Sequence, residues 1–178
     1  KPTEKYNSKR ELFFEKLNSS WSVDTATKNM GRSRTINFLH GSECAFWQNG
    51  IAQTQAGIGE ALTKNCIKIY ESTANGFNDF ETMWHSERYI NCFYEWWKTP
   101  EYRIELKNNE IKEKFINDIN TKTDWIFKRI NWLLNEKKLE LEQVYWYYNK
   151  YLNYIDKELI KQEYPCTPEE AFLSTGQC

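Results

Sequence analysis

Apolar and polar residues alternate in two distinct rhythms along this chain, and the change between them falls near the middle. Thr35 to Gly41 opens as a short apolar run in which Ile36, Phe38 and Leu39 predict a buried strand. Gly50 to Lys64 then places Ile51, Ala52, Ala56, Ile58, Ala61 and Leu62 at helical spacing, with Gly57 and Gly59 as weak points. Cys66 to Tyr70 predicts a second strand. Asn78 or Asp79 is positioned to cap a helix whose apolar face carries Phe80, Met83 and Trp84. Residues 35–90 therefore read strand, helix, strand, helix, the alternation of parallel α/β structure.

On the N-terminal side the rhythm is weaker. Residues 1–20 are mixed and polar, with a short helix expected from Arg10 to Leu17. Trp21 to Thr27 alternates as a strand does, and Lys28 to Arg34 forms a basic loop around Gly31. On the C-terminal side the period lengthens. Six of the seven glycines lie at or before Gly76, so the later half is left to longer elements. One more strand is expected from Cys92 to Tyr102, turning at Pro100. Asn108 to Tyr164 reads as largely helical. Asp124 to Glu136 carries Trp125, Phe127, Ile130, Leu133 and Leu134 around one helix. Glu140 to Ile160 carries a line from Leu141 through Val144, Tyr148, Leu152 and Ile155 to Leu159, and Pro165 and Pro168 end it. The expected architecture is an α/β core over residues 1–105 and a helical C-terminal subdomain over residues 106–178.

Composition narrows the function more than the fold. The net charge of −1 gives no global basic field for nucleic acid. The five cysteines are scattered without a C-x-x-C pair, and only His40 and His85 are available beside them. Zinc ligation is not expected, and reduced thiols in a cytoplasm are. No apolar run approaches the roughly 20 residues that span a bilayer. The opening Lys1-Pro2-Thr3-Glu4-Lys5 has neither signal-peptide character nor an initiator Met, so an internal piece of a longer protein is expected.

Chemistry is expected where the two strands end, the edge at which open α/β sheets gather ligands. Ser42-Glu43 follows the first strand. A carboxylate there is placed to orient an attacking water, and the neighbouring hydroxyl to assist a hydrated Mg²⁺. The competing account is a helix-start carboxylate held by the macrodipole. Ser72-Thr73-Ala74-Asn75-Gly76 follows the second strand; it is either a polar sensor loop or an ordinary strand-to-helix turn, since these residue types favour turns.

Four strings decide between these accounts by resemblance. LHGSECAFW (Leu39–Trp47) resembles the Walker B segment of tailed-phage terminase large subunits, the ATP-driven motors that package DNA. Ser72–Gly76 resembles their coupling motif, and Tyr164–Phe172 (YPCTPEEAF) is similar to the segment that closes their ATPase domain. Gly31-Arg32-Ser33-Arg34 resembles the loop ahead of their Walker B strand. The four occur in family order across residues 31–176.

The resemblance implies a partial P-loop NTPase fold, a parallel sheet flanked by helices, in a bacteriophage or prophage motor. It implies ATP and Mg²⁺ as cofactors, with Glu43 activating water and Ser42 at the metal's water shell. Thr73, Asn75 and Gly76 would sense the nucleotide and couple hydrolysis to movement. Arg32, with Arg34 as competitor, would reach a neighbouring subunit's site in a homo-oligomeric ring. Double-stranded DNA, a portal protein and a small terminase subunit are the implied partners, in the host cytoplasm at the procapsid and away from any membrane.

The departures are specific. No G-x-x-x-x-G-K-[ST] run occurs; Gly57 to Lys64 comes nearest and lacks the glycine before its lysine. Ser42 stands where many motor ATPases carry Asp, and it brings a hydroxyl in place of a charge. The expected chain is therefore the later part of an ATPase domain, without its phosphate grip or the family's nuclease domain, and inactive alone. Two rivals remain. One is a non-catalytic assembly module that docks on portal or neighbouring subunits, and the other a different P-loop motor such as a helicase. The aromatic run Tyr145-Trp146-Tyr147-Tyr148 reads as helix packing rather than base stacking, and Glu169 and Glu170 as first-turn residues of a short helix.

Overall fold

The structure, a computed structural model, describes residues 6–7, 10–27, 30–31 and 34–172. It is mixed α/β, and the chain forms two compact units. The first comprises residues 1–72 and 78–82, the second residues 73–77 and 83–178.

In the first unit, β1 (Tyr6–Asn7), β2 (Glu11–Phe14) and β3 (Ser19–Ser22) form an antiparallel sheet in that order. The helix expected at Arg10 to Leu17 is absent. Glu11–Phe14 pairs instead with Ser19–Ser22, and a single 3-10 turn at Glu15–Leu17 closes the hairpin. Asn18, at φ 43°, makes this possible, since Asn tolerates left-handed backbone better than most residues. The strand expected over Trp21 to Thr27 is correspondingly shifted toward the N-terminus.

The central motif is β4 (Ile36–Gly41), α1 (Gly50–Ile58) and β5 (Leu62–Tyr70), with β4 and β5 parallel. Phe38 faces Ile67, Leu39 faces Lys68 and Gly41 faces Tyr70, with an irregularity between Ile36 and Phe38. The helix is shorter than its apolar spacing predicts, and β5 begins at Leu62 rather than Cys66. Gly57 and Gly59 weaken the helix, and a 3-10 turn at Gly59–Ala61 delivers Leu62 beside Ile36. Ile51 and Ile58 of α1 are buried, as is Thr54, whose hydroxyl donates to the Gly50 carbonyl at 2.8 Å.

One expectation for this motif fails. Of Ile36, Phe38 and Leu39 only Leu39 is buried. Phe38, Ile67 and Ile69 lie on the opposite face and remain 41%, 61% and 46% exposed. Parallel sheets ordinarily bury both faces beneath crossover helices. Trp21, 5.7 Å from Phe38 between ring centroids, covers that face only in part.

α2 (Asp79–Trp84) starts where Asn78 caps it, Oδ1 accepting from the N–H groups of Phe80 at 2.9 Å and Glu81 at 3.4 Å. Of its expected apolar face, Phe80 is buried and Met83 and Trp84 are half-buried.

The second unit is built on α3 (Asn109–Thr121), α4 (Trp125–Asn135) and α5 (Leu141–Asn153), with short helices α6 (Leu159–Glu163) and α7 (Pro168–Phe172). α4 packs on both α3 and α5. Asn108 caps α3, and Glu140 with Gln143 forms a reciprocal capping box on α5. Ile130, Leu133, Val144 and Tyr147 are completely buried. The aromatic run of α5 packs as core, but on another line than the expected one through Val144, Tyr148 and Leu152. Trp146 and Tyr147 are buried and Tyr148 only half-buried, Trp146 stacking on Tyr102 at 4.2 Å and Tyr147 on Trp96 at 5.0 Å.

Two helical-half expectations need correction. Cys92 to Tyr102 is not a strand; a 3-10 turn at Trp96–Lys98 is its one regular element. Trp96 is drawn into the helical core, and Gln143 Nε2 donates to the Trp97 carbonyl at 3.1 Å, so side chains rather than strand pairing hold the segment. The single helix expected from Glu140 to Ile160 breaks after Asn153, leaving Leu152 half exposed and Ile155 fully exposed. Lys157 explains the break. Its ammonium donates to the carbonyls of Tyr151, Leu152 and Tyr154 at 3.0, 2.8 and 2.6 Å, meeting the orphan acceptors of the helix end.

α7 keeps Glu169 and Glu170 in its first turn as expected, with Thr167 Oγ1 accepting from the Glu170 N–H at 3.3 Å. Glu170 nevertheless does more than favour a dipole. It is buried, pairs with Arg129 at 2.6 Å and accepts from the Cys166 N–H at 3.1 Å. Phe172 anchors the segment against Trp84 and His85, with ring centroids 6.0 and 6.2 Å away.

Candidate functional site at the end of the parallel strands

The parallel pair runs on past its formal end. The Glu71 N–H donates to the Gly41 carbonyl at 2.9 Å, and the Cys44 N–H returns to the Glu71 carbonyl at 3.1 Å. Between those two bonds the chain turns through Ser42 and Glu43. Glu43 adopts φ 52° and ψ 43°, a left-handed conformation that few non-glycine residues take, and leads into a 3-10 turn at Cys44–Phe46. Its carboxylate makes no capping bond on that turn and is exposed, as is Ser42. The competing account, a carboxylate favoured by a helix macrodipole, has only the three-residue 3-10 turn Cys44–Phe46 behind it at this point.

Trp47 folds back over this corner. Its indole Nε1 donates to the Ser42 carbonyl at 2.9 Å. Its ring lies so close to Gly41 that a Cβ there would sit 2.9 Å from it, which is why the strand ends on glycine. The buried Cys44 thiol donates to the Gly41 carbonyl at 3.2 Å. From the other strand, Ser72 Oγ accepts from the Ala45 N–H at 3.1 Å, and Asn78 Nδ2 donates to the Ala45 carbonyl at 3.0 Å. The acid turn is thus held by these six hydrogen bonds on residues 41–47, four of them from residues 71–78.

Burial pushes the Cys44 thiol up to about 12, the charges of Glu71 and Glu43 adding to the shift and backbone hydrogen bonding to the thiol at Glu71 and Cys44 opposing it. Cys166 is raised for the same leading reason. Neither is a nucleophile at neutral pH, because the thiolate is the reactive form. Alkylation of the native chain at pH 8 is expected to modify the exposed Cys92 first and to leave Cys44 and Cys166 intact until denaturant is added. Mass mapping of the modified peptides checks this; early labelling of Cys44 would contradict the buried hydrogen-bonded thiol.

A cavity of about 250 Å³ lies beside the turn, walled by Cys44, Trp47, Ile51 and Phe80, with Asn78 and Asp79 as its polar side. Asp79 is already committed, accepting from the Ala52 N–H at 3.0 Å at the start of α1. Ser42 and Glu43 do not line the cavity.

The sequence-predicted residues fall into three groups. Ser42 and Glu43 stand together on the turn. Thr73, Asn75 and Gly76 belong to the second unit, where Thr73 is half-buried, Asn75 exposed and Gly76 left-handed at φ 61°, as a sharp turn requires. Arg32 lies outside the described residues. Its competitor Arg34 hydrogen-bonds the Ser22 hydroxyl. Sequence reasoning missed the grips from Trp47 and Ser72 and recognised Asn78 only as a cap. The available signal was a hydroxyl and an amide placed immediately before and after the polar segment that follows β5.

No group of three or more His, Cys, Asp or Glu side chains among the described residues is arranged to hold a metal ion. None of their helices is long and apolar enough to cross a membrane. Comparison with protein families, with curated proteins and with solved structures finds no match to this chain.

Proposed function

We propose that this chain is the later part of the ATPase domain of a tailed-phage terminase large subunit, with a P-loop-type fold. In this reading the intact protein hydrolyses ATP in the host cytoplasm to drive double-stranded DNA into a procapsid. The observation that carries the reading is Glu43. It stands at the C-terminal end of a parallel strand, in left-handed backbone, with its carboxylate presented to solvent beside the next strand's end. Backbone held in such a conformation by its surroundings is characteristic of functional sites. The four ordered sequence strings add the family.

Ser42 and Glu43 suit Mg²⁺ as a sparse oxygen set, since that ion keeps several waters and takes phosphate oxygens in preference to a protein cage. When bound with ATP it would supply neutralisation of phosphate charge. Glu43 then has the task of orienting and deprotonating water, and Ser42 of hydrogen-bonding a water of the metal's shell. Thr73 and Asn75 are the residues proposed to sense the nucleotide, and Arg32 the one proposed to act on a neighbouring subunit in the ring. The 178 residues contain no P-loop motif, so the phosphate grip must come from elsewhere. Portal protein and small terminase subunit are the proposed partners.

The test is hydrolysis by a protein that joins this chain to a phosphate-binding half. Glu43→Gln is expected to lower kcat by roughly 10²- to 10⁴-fold with nucleotide binding retained. Unchanged turnover would remove the reading, and steady hydrolysis by the 178-residue chain alone would remove its incompleteness. A second reading, a non-catalytic assembly module, draws on the exposed face of Phe38, Ile67 and Ile69. It expects packaging to proceed unimpaired with Glu43→Gln.

A further inference from the structure

A left-handed glutamate is unstable by itself. L-residues outside glycine, asparagine and aspartate favour right-handed backbone by a factor of about 5 to 30, so something must hold residue 43 at φ 52°. The flanking residues carry two holds, the Cys44 N–H on the Glu71 carbonyl and the Trp47 indole on the Ser42 carbonyl. The next is the Ala45 peptide, two residues on and buried, and it is the one held by side chains from beyond β5. It is gripped from both sides: Ser72 Oγ accepts its N–H at 3.1 Å and Asn78 Nδ2 donates to its carbonyl at 3.0 Å. We propose that Ser72 and Asn78 are positioning residues for Glu43, fixing the turn from two sides so that the carboxylate faces solvent at the ends of β4 and β5. This rests on the reading of Glu43 as the water-orienting acid.

The geometry separates this role from simple stability. Asn78 uses its two amide atoms for different purposes. Oδ1 caps α2 through Phe80 and Glu81, while Nδ2 alone reaches Ala45. Asn78→Asp keeps the cap and removes the grip. Ser72→Thr keeps the hydroxyl, and Ser72→Ala removes it.

The test has a backbone arm and a kinetic arm. By NMR of the 178-residue chain, Ser72→Ala and Asn78→Asp are each expected to move the Glu43 φ-sensitive coupling and Cα shift away from left-handed values. Exchange of the Ala45 amide is expected to rise roughly tenfold in Ser72→Ala, as loss of one hydrogen bond implies, and Ser72→Thr is expected to restore both signals. Left-handed signals unchanged in both Ser72→Ala and Asn78→Asp would overturn the proposal. Should Ser72→Ala fail to fold, Asn78→Asp and Ser72→Thr still decide it. In the protein joined to its phosphate-binding half, Asn78→Asp is expected to lower kcat with nucleotide KM unchanged. An unchanged kcat despite a moved Glu43 overturns the positioning role. These outcomes are separable from the reading beneath them. If Glu43→Gln leaves hydrolysis intact while the backbone arm holds, the acid role falls and the grip on Ala45 stands.

Discussion

Arg129→Met is expected to destabilise the helical unit by about 3–5 kcal/mol, the cost of leaving a buried carboxylate without its partner. Glu170 is almost wholly inside, and one of its oxygens takes both the Arg129 guanidinium at 2.6 Å and the Cys166 N–H at 3.1 Å. Its other oxygen is buried with no hydrogen-bond donor from the protein, so the carboxylate depends on these two donors. Burial, the largest single influence, would lower the Arg129 pKa, but the hydrogen bond to Glu170 together with the charges and hydrogen bonding of Cys166 and Glu170 outweighs it and the shift is upward; the charge stays on. The double variant Arg129→Met with Glu170→Leu is expected to recover much of the loss, because an apolar pair replaces the ionic one with neither charge stranded. Urea unfolding followed by the helical circular dichroism signal measures both. The pair is dispensable if Arg129→Met moves the helical transition by less than about 1 kcal/mol, the range of exposed ion pairs.

Trp96→Ala is expected to cost a similar amount, about 3–5 kcal/mol, for a different reason. Trp96 is buried between Trp146 and Tyr147, with ring centroids 5.4 and 5.0 Å away and planes nearly parallel to both. It is the main anchor of a segment without helix or strand pairing, so its loss opens a cavity and frees the chain around it. Trp97→Ala provides the comparison. Its ring is only half-buried and meets Trp96 edge-on at 5.5 Å, so it should cost clearly less. Equal losses from the two variants would mean that the segment is held by its backbone and not by the inserted indole.

Both residues mark the limit of what local pattern reveals. The order strand, helix, strand of β4–α1–β5 is legible from the alternation of apolar runs and helical spacing, as is the helical run from α3 to α5, although the burial expected of Phe38 and of the Tyr148–Leu152 line does not follow. Arg129 and Glu170 are separated by 41 residues, and nothing near Glu170 distinguishes it from Glu169, which stays outside the core. The Trp96 segment reads as a strand because its residues are aromatic, whereas strand formation needs a partner edge that this segment does not have. The helix at Arg10 to Leu17 was lost to a hairpin that closes on Asn18, a choice made by pairing and not by propensity. At the candidate site the sequence placed Glu43 and Ser42 together on one turn. It was silent on the left-handed backbone, which for a glutamate depends on what grips the residues on either side of it.

The half-bare parallel pair has a consequence for how the chain behaves in bulk. Among the described residues neither β4 nor β5 pairs with a further strand, so two rows of backbone donors and acceptors run beside the apolar stripe of Phe38, Ile67 and Ile69. Edges of this kind, next to bare hydrocarbon, template the pairing of one chain with the next. Proteins blunt them with charge, and here Lys68 is turned to the other face while His40, on the stripe, stands 3.7 Å from the Glu71 carboxylate at its end. A lysine in place of Ile67 would put a charge in the middle of that stripe and work against such pairing.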